Sequence, residues 1–214
     1  MKLLRLPVGP LQANCYLLIA DGLAVVVDPG EDAPAIAEQL ARHEAELGAV
    51  WLTHAHFDHV GGLADLLAAQ PAGRQVPVYL HGADLPLLEN AQASAARYGL
   101  TIKAPPTSFT PLAHGQQLAC GGVAAVCLHT PGHAPGHIAF HLVTERAVLS
   151  GDALFRGSVG RTDTPYGDHE QLIESIKREL LRLDDETLVL PGHGPETTVG
   201  EELRHNPFLQ QGGD

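Results

Sequence analysis

The sequence predicts one mixed α/β domain, and two observations predict it. Short apolar runs bounded by turn residues recur along the 214-residue chain, and segments with helical spacing lie between them. No polar linker separates these segments, and a length prior of roughly 150 residues per domain also favours one unit. We therefore expect a single layered domain over residues 1–214.

The apolar runs are predicted β-strands because each is short, rich in aliphatic residues and bounded by turn residues. They cover residues 15–19, 24–27, 50–53, 78–80, 123–128, 138–142, 147–150 and 188–190. Asp21-Gly22 and Glu145-Arg146 lie between neighbouring runs in the manner of hairpin turns. At least part of the sheet is therefore expected to be antiparallel.

Four segments have the spacing of amphipathic helices. The predicted ranges are 32–47, 62–69, 84–97 and 168–183. In the first, the apolar face extends to Leu47, and in the last Asp168 and Gln171 have the spacing of a capping box. Segment 104–113 contains three prolines, so we expect it to be a surface loop.

Charge and hydropathy exclude several classes of partner. The 13 Lys and Arg against 25 Asp and Glu give a net charge of −12, which disfavours binding to nucleic acid. No apolar run approaches the ~18 residues of a membrane span, and the opening residues 1–7 are too short for a signal peptide. We expect a small-molecule substrate, no membrane partner and a cytoplasmic location.

Cysteine and histidine usage points to metal binding through imidazole. Cys15, Cys120 and Cys127 are odd in number and form no CxxC pair, so neither a disulfide framework nor a cysteine-based zinc site is indicated. We expect them to be small core residues. The 13 histidines equal the combined Lys and Arg count, and histidine is the commonest metal-binding side chain.

Four candidate ligands follow the predicted strand that ends at Thr53. The chain continues as His54-Ala55-His56-Phe57-Asp58-His59. In an extended segment His54 and His56 point to the same side, so they can bind one metal ion. Asp58 and His59 point elsewhere because the chain turns after His56. The four side chains therefore fit two neighbouring metal ions more easily than a single ion.

More ligands are needed, because a zinc site takes about four and a catalytic one keeps a position for water. Three later segments supply candidates, each after an apolar run: 130–133 (TPGH), 150–152 (SGD) and 190–193 (LPGH). Loops at one edge of a sheet commonly carry functional side chains. We therefore expect these segments to lie near His54.

The HxHxDH run, TPGH, GD and PGHG occur in an order and at separations that resemble the metallo-β-lactamase superfamily. Within it the chain is similar to the glyoxalase II group (hydroxyacylglutathione hydrolases), particularly the short bacterial form. The resemblance extends from Asn14-Cys15-Tyr16 to His205-Asn206-Pro207-Phe208-Leu209. It implies a four-layer αββα sandwich, without the C-terminal helical domain of longer glyoxalase II enzymes.

The resemblance also implies two divalent metal ions and a role for each motif residue. The first ion would be held by His54, His56 and His133, the second by Asp58, His59 and His193, and both by Asp152. Zinc is expected, with iron and manganese as alternatives, because His and Asp ligands accept all three. The ions leave a cationic centre in an acidic protein, suited to an anionic or electron-rich carbonyl substrate.

The expected reaction is attack on a carbonyl by a hydroxide that bridges the two ions, with Asp58 as the catalytic residue that orients it. A thiol leaves readily as thiolate, so thioesters are favoured over amides, which need a general acid. The resemblance narrows the substrate to S-2-hydroxyacylglutathione, such as S-lactoylglutathione, giving a 2-hydroxy acid and glutathione.

Five further residues are expected around this centre. Arg161 aligns with a basic residue that contacts glutathione in the longer enzymes, and Arg156 and Tyr166 lie in the same loop. Asp28 is either a turn residue before Pro29 or a hydrogen-bond partner of a ligand-bearing loop. We expect His137 to support the ligands without binding metal, because the set of ligands is already complete.

Two other enzyme functions and one non-enzymatic function remain. A persulfide dioxygenase of the same superfamily holds one iron with two His and one Asp, and would not need Asp58, His59 and His193. A lactonase or another ester hydrolase would use the same ligands. A non-catalytic metal-binding module predicts lost ligands, and none is lost here.

Overall fold

Two six-stranded sheets form the framework of the chain. The computed structural model describes residues 1–210. Residue contacts divide the chain into two compact units: residues 1–112 with 119–124, and residues 113–118 with the remainder from Ala125 onward. Each unit has its own hydrophobic core. The prediction of a mixed α/β chain is confirmed.

The first sheet contains six strands in sequence order. They are β1 (Lys2–Val8), β2 (Ala13–Ala20), β3 (Leu23–Val27), β4 (Glu46–Trp51), β5 (Val78–His81) and β6 (Thr110–Leu112). β1 to β3 are antiparallel, whereas β3 to β6 run parallel with helices in their connections. The predicted turn at Asp21-Gly22 is confirmed, and both residues have the positive φ that a tight hairpin requires (52° and 73°).

The helices of the first unit follow β3, β4 and β5. They are α1 (Ala33–Arg42), α2 (Phe57–Val60), α3 (Leu63–Ala68), a 3₁₀ turn (Gly82–Asp84), α4 (Leu85–Glu89) and α5 (Ala91–Arg97). The predicted helix 32–47 is too long, because the chain turns at Glu44 (φ 51°) and Leu47 is a buried residue of β4. The predicted helix 84–97 is interrupted at Asn90.

The prediction that 104–113 is only a surface loop is wrong. Residues 110–112 form β6, which pairs in parallel with β5 through Tyr79 and Thr110 and through His81 and Leu112. β6 is the edge strand of its sheet, where a proline costs no hydrogen bond to a further strand. Pro111 is therefore compatible with a strand at this position.

The second sheet has the order β14-β13-β10-β9-β8-β7. Its strands are β7 (Gln117–Cys120), β8 (Val123–His129), β9 (Ile138–Leu142), β10 (Ala147–Gly151), β13 (Leu188–Pro191) and β14 (Thr197–Thr198). A separate hairpin joins β11 (Leu154–Phe155) and β12 (Ser158–Val159). β9 and β10 are antiparallel, as the turn at Glu145-Arg146 predicts, and β10 is parallel to β13.

The helices of the second unit pack onto its own core of aliphatic residues. They are α6 (His169–Ser175), which continues as a π-helical segment (Ile176–Leu180), α7 (Val199–His205) and α8 (Pro207–Gln210). The predicted cap is confirmed, since Asp168 Oδ1 accepts the Gln171 N–H at 3.0 Å. The predicted end at residue 183 overshoots the helical backbone, which ends at Leu180.

Cys15 and Cys127 are small residues of the interior, as predicted, whereas Cys120 is only partly buried. Cys15 and Cys127 are buried, and burial raises the pKa of both thiols, that of Cys127 to about 12. Cys120 is half-buried and lies against Gly48. Among the helices of residues 1–210, none combines the length and the apolar character needed to cross a membrane.

Candidate functional site

Parallel pairing of β3 and β4 brings Asp28 next to the histidine motif. Val27 and Trp51 are partners at the carboxyl ends of these strands, and the Asp28 N–H donates to the Trp51 carbonyl at 3.1 Å. The residues that follow the two strands therefore leave the same edge of the sheet. One strand continues into Asp28 and the other into Thr53 and His54.

The buried Asp28 carboxylate holds the histidine loop by three hydrogen bonds. The Thr53 N–H donates to Oδ1 at 2.8 Å, the Thr53 hydroxyl donates to Oδ2 at 2.6 Å, and His59 Nδ1 donates to Oδ2 at 3.0 Å. Asp28 has a left-handed backbone (φ 51°), an unfavourable conformation that these bonds maintain. Of the two alternatives for Asp28, its contacts support the hydrogen-bond partner of a ligand-bearing loop.

The hydrogen bonds also determine the tautomers of His54 and His59. The single proton of the Thr53 hydroxyl is donated to Asp28, so His54 Nδ1, 3.0 Å from Thr53 Oγ1, must be the donor of that contact. His59 Nδ1 donates to the Asp28 carboxylate. In both rings Nε2 therefore carries the lone pair, which is the arrangement of metal-binding histidines.

The four motif side chains of the first unit lie together. The ring centroids of His54 and His56 are 4.8 Å apart and perpendicular, and those of His54 and His59 are 4.2 Å apart. Asp58 Oδ2 is 3.8 Å from His59 Nε2. His54 and His59 are fully buried, whereas His56 and Asp58 are partly exposed.

Asp84 is a residue of this region that the sequence analysis missed. Its fully buried carboxylate accepts the N–H of Ala55, the residue between His54 and His56, at 3.0 Å. Asp84 thus holds the peptide that separates the two imidazoles. Nothing in the local sequence marks this role, because Asp84 lies 29 positions away at the start of a predicted helix.

In the second unit, parallel pairing of β10 and β13 brings two other predicted ligands to one edge. Gly151 pairs with Pro191 at the carboxyl ends of these strands, and the Gly192 N–H donates to the Gly151 carbonyl at 2.8 Å. Asp152 and His193 directly follow these paired residues. The strand register therefore accounts for their proximity.

Two imidazoles converge on one oxygen of Asp152. His133 Nε2 lies 3.6 Å and His193 Nε2 lies 3.8 Å from Asp152 Oδ2. Both distances are too long for hydrogen bonds but close to the spacing of two ligands of one cation, roughly 3–4 Å for metal–ligand bonds near 2.1 Å. The His133 Nδ1–H donates to the Arg161 carbonyl at 2.8 Å, so its Nε2 also carries the lone pair.

His137 connects the two loops that carry His133 and Asp152. Its Nε2 accepts the Asp152 N–H at 3.0 Å, so Nδ1 is the protonated nitrogen and donates to Thr130 Oγ1 at 2.8 Å. The ring is fully buried. His137 thus orients the Asp152 backbone with both of its nitrogens already used in hydrogen bonds.

The three residues predicted to contact substrate are all exposed residues of the second unit. Arg156 lies in the turn between β11 and β12, and Tyr166 is 61% exposed. The Arg161 guanidinium forms an ion pair with Asp163 through Nε–Oδ1 (2.8 Å) and Nη2–Oδ2 (3.1 Å). This hydrogen bonding holds the pKa of the Asp163 carboxyl below its ordinary value.

The donor chemistry of both units fits divalent metal ions. Five imidazoles and two carboxylates are the ligand types of zinc and of other first-row metals. Three of the imidazoles, those of His54, His59 and His133, direct the protonated Nδ1 to an oxygen acceptor. Because this leaves each Nε2 lone pair for a cation, the residues present are compatible with the metal ions that the sequence predicts.

Comparisons with known proteins agree with this chemistry. The metallo-beta-lactamase superfamily model matches residues 8–193, which include segments of both units. The chain is 40% identical over 211 residues to the probable metallo-hydrolase YqgX of Bacillus subtilis, covering 98% of each chain. It is 38% identical over 216 residues to the hydroxyacylglutathione hydrolase GloC of Haemophilus influenzae, again covering 98% of each.

A solved structure extends the comparison to the fold and the metal. The crystal structure of TTHA1623 in a di-iron-bound form is 47% identical and superposes with a TM-score of 0.89, covering 96% of this chain and all of that chain. The predicted fold is thereby confirmed, and this fold implies binding of divalent metal. The chain belongs to the metallo-β-lactamase superfamily and is one of its metallo-hydrolases.

Proposed function

We propose that the chain is a thioester hydrolase of glyoxalase II type, which cleaves S-2-hydroxyacylglutathione, such as S-lactoylglutathione, to a 2-hydroxy acid and glutathione. The proposal rests on the complete set of imidazole and carboxylate groups that can bind metal. In three of the histidines Nδ1 donates a hydrogen bond to an oxygen atom, which leaves Nε2 available for a metal ion. The 38% identity to GloC along almost the whole chain supports the substrate. We propose a cytoplasmic location, as the sequence predicts.

We further propose that the chain is a single domain with a dinuclear metal centre, as the sequence predicts. The resemblance implies the ligands of each ion: His54, His56 and His133 for one, Asp58, His59 and His193 for the other, and Asp152 for both. Zinc is the proposed metal. Iron is the alternative, supported by the di-iron form of TTHA1623.

The residues of the chain divide the chemical work. Divalent ions held by these ligands would lower the pKa of a bound water to about 7 and would polarise the substrate carbonyl. The partly exposed Asp58 carboxylate accepts a hydrogen bond from the attacking water and so orients it. His54 and His59 are fully buried, so bulk solvent does not contact these two imidazoles.

The leaving group requires little help from the protein. A thiol with a pKa near 8.5 departs as thiolate, so no general acid is needed. The anionic parts of the substrate would be bound by Arg161 and Arg156 at the exposed side of the second unit. Thioesters are therefore better suited to this site than amides.

The first prediction concerns turnover. Metal-replete protein is expected to hydrolyse S-lactoylglutathione steadily, and removal of metal by a chelator should abolish the activity, because the nucleophile depends on the bound ions. Readdition of zinc or iron should restore it. The measurement is the rate of thioester loss together with the metal content per chain.

His54→Ala should abolish this turnover, whereas His169→Ala is the matched control, because His169 is an exposed residue of α6. No hydrolysis by metal-replete protein would contradict the proposed substrate. One iron per chain with oxygen consumption on a persulfide would assign the dioxygenase function instead.

A second prediction concerns the ion pair of Arg161 with Asp163. Asp163→Asn is expected to lower KM for anionic thioesters by roughly threefold with kcat unchanged. The neutral amide of asparagine would bind the Arg161 guanidinium more weakly than the Asp163 carboxylate does, and would therefore compete less well with an anionic substrate. Asp184→Asn is the control, because Asp184 also forms an ion pair with an arginine. Asp184 lies before the amino end of β13, whereas the predicted ligand His193 follows the carboxyl end of that strand. An equal change of KM in both variants would argue against a substrate contact by Arg161.

A further inference from the structure

A buried carboxylate of α7 lies outside the proposed metal ligands and has no role in the mechanism above. Glu202 is 2% exposed. Its Oε2 accepts the Gly157 N–H and the Asn206 Nδ2–H, each at 2.8 Å, and its Oε1 accepts the Thr197 hydroxyl at 2.7 Å. Burying a carboxylate is unfavourable unless hydrogen-bond donors compensate for the lost hydration. The three donors around Glu202 provide this compensation.

The donors show what Glu202 holds in place. Gly157 is in the turn of the β11–β12 hairpin and has a left-handed backbone (φ 68°). Asn206 Nδ2 also donates to the carbonyl of Ser158, the next residue of the hairpin, at 3.0 Å. Glu202 and Asn206 therefore bind consecutive residues of the hairpin, Gly157 in the turn and Ser158 at the start of β12, and we call Glu202 and Asn206 the hairpin clamp.

The hairpin places the Phe155 side chain beside His193, a proposed metal ligand of the same unit. The Phe155 ring lies 6.4 Å from the His193 ring, in a perpendicular arrangement, and Arg156 occupies the turn. Asp152, two residues before β11, is held independently by His137 through its backbone N–H. Displacement of the turn would thus move Phe155 and Arg156 more than Asp152.

We propose that Glu202, together with Asn206, is a positioning residue that determines substrate affinity by holding the β11–β12 hairpin. The proposal rests on the proposed function for the identity of the substrate. The hydrogen bonds require an acceptor at the Oε2 position, because Gly157 N and Asn206 Nδ2 can only donate. At Oε1 a donor is tolerated, since the Thr197 hydroxyl can rotate and accept instead.

This asymmetry defines the experiment. Glu202→Ala should raise KM for S-lactoylglutathione about tenfold with kcat within about twofold and metal content unchanged. Glu202→Gln should stay within about threefold of the wild-type KM, because its carbonyl can occupy the Oε2 position. Glu201→Ala is the control, as Glu201 is the exposed neighbour on the same helix.

A second measurement does not depend on catalysis. Hydrogen exchange of the Gly157 amide should accelerate at least about tenfold in Glu202→Ala and remain near wild type in Glu202→Gln. If Glu202→Ala does not fold, Asn206→Ala tests the same clamp through the bond to Ser158. Unchanged Gly157 exchange, or a fall of kcat at constant KM, would overturn the proposal.

The two proposals fail separately. Absence of thioester turnover in the wild type would refute the proposed function, and Gly157 exchange would still decide whether the clamp exists. Normal turnover with the same KM in the wild type and in Glu202→Ala would refute the clamp's effect on affinity and leave the function standing.

Discussion

Replacement of Asp152 by alanine is expected to reduce kcat/KM for thioester hydrolysis by about 10³-fold or more. Asp152 Oδ2 is the atom on which His133 Nε2 and His193 Nε2 converge, at 3.6 and 3.8 Å. Removing it takes away the negative charge proposed to be shared by both ions. The imidazoles alone would bind the cations more weakly, so the metal content should fall to about half or less of the wild-type value.

The fold should survive this substitution. Alanine retains the backbone N–H that donates to His137 Nε2, and the Asp152 side chain is 12% exposed. The measurements are steady-state kinetics, elemental analysis and the thermal midpoint. Asp184→Asn serves again as the control for loss of one carboxylate. Full metal content with wild-type turnover in Asp152→Ala would exclude Asp152 from the catalytic centre.

Replacement of Gly30 by alanine should strongly destabilise the fold. A Cβ at Gly30 would lie 1.9 Å from the carbonyl oxygen of Asp58 and 3.3 Å from a Val8 methyl group. The backbone of α2 must therefore move, and overpacking of this kind costs about 3 kcal/mol. For a chain of this size the thermal midpoint should fall by roughly 6–12 °C.

The same displacement should impair catalysis, because Asp58 and His59 belong to the helix that must move. We expect activity to fall at least about tenfold. Gly82→Ala is the matched control, since a Cβ there has no atom of the described residues within 4 Å. Calorimetry and kinetics on the two variants test the prediction, and a melting temperature of Gly30→Ala equal to that of Gly82→Ala would contradict it.

Local patterns predicted most strands and failed where spacing was ambiguous. Leu47 fits both the apolar face of a helix and the first residues of β4, and only its pairing with Ala24 of β3 decides between them. The prolines of segment 104–113 favoured a loop, yet β6 is an edge strand, where proline is tolerated. β1, which the sequence analysis did not predict, is also an edge strand and also contains a proline.

The candidate site shows the same division. Adjacency in the chain made His54, His56, Asp58 and His59 recognisable. Position after an apolar run indicated the candidates further along, and the resemblance implied their roles. Asp84 and Glu202 could not be found in this way, because each accepts a hydrogen bond from a backbone N–H group that is distant in the sequence. The separations are 29 and 45 positions. No local pattern reports a hydrogen bond between such distant residues.

The order of residues by itself determined the mixed α/β class and the run of ligands after β4, because periodicity and adjacency are properties of neighbouring residues. Only the tertiary structure decided which ring nitrogen of His54 and His59 carries the proton, and that Arg161 contacts His133 through its carbonyl. These features depend on partners that strand pairing and loop packing bring together, and hydrogen bonds act only within about 3 Å.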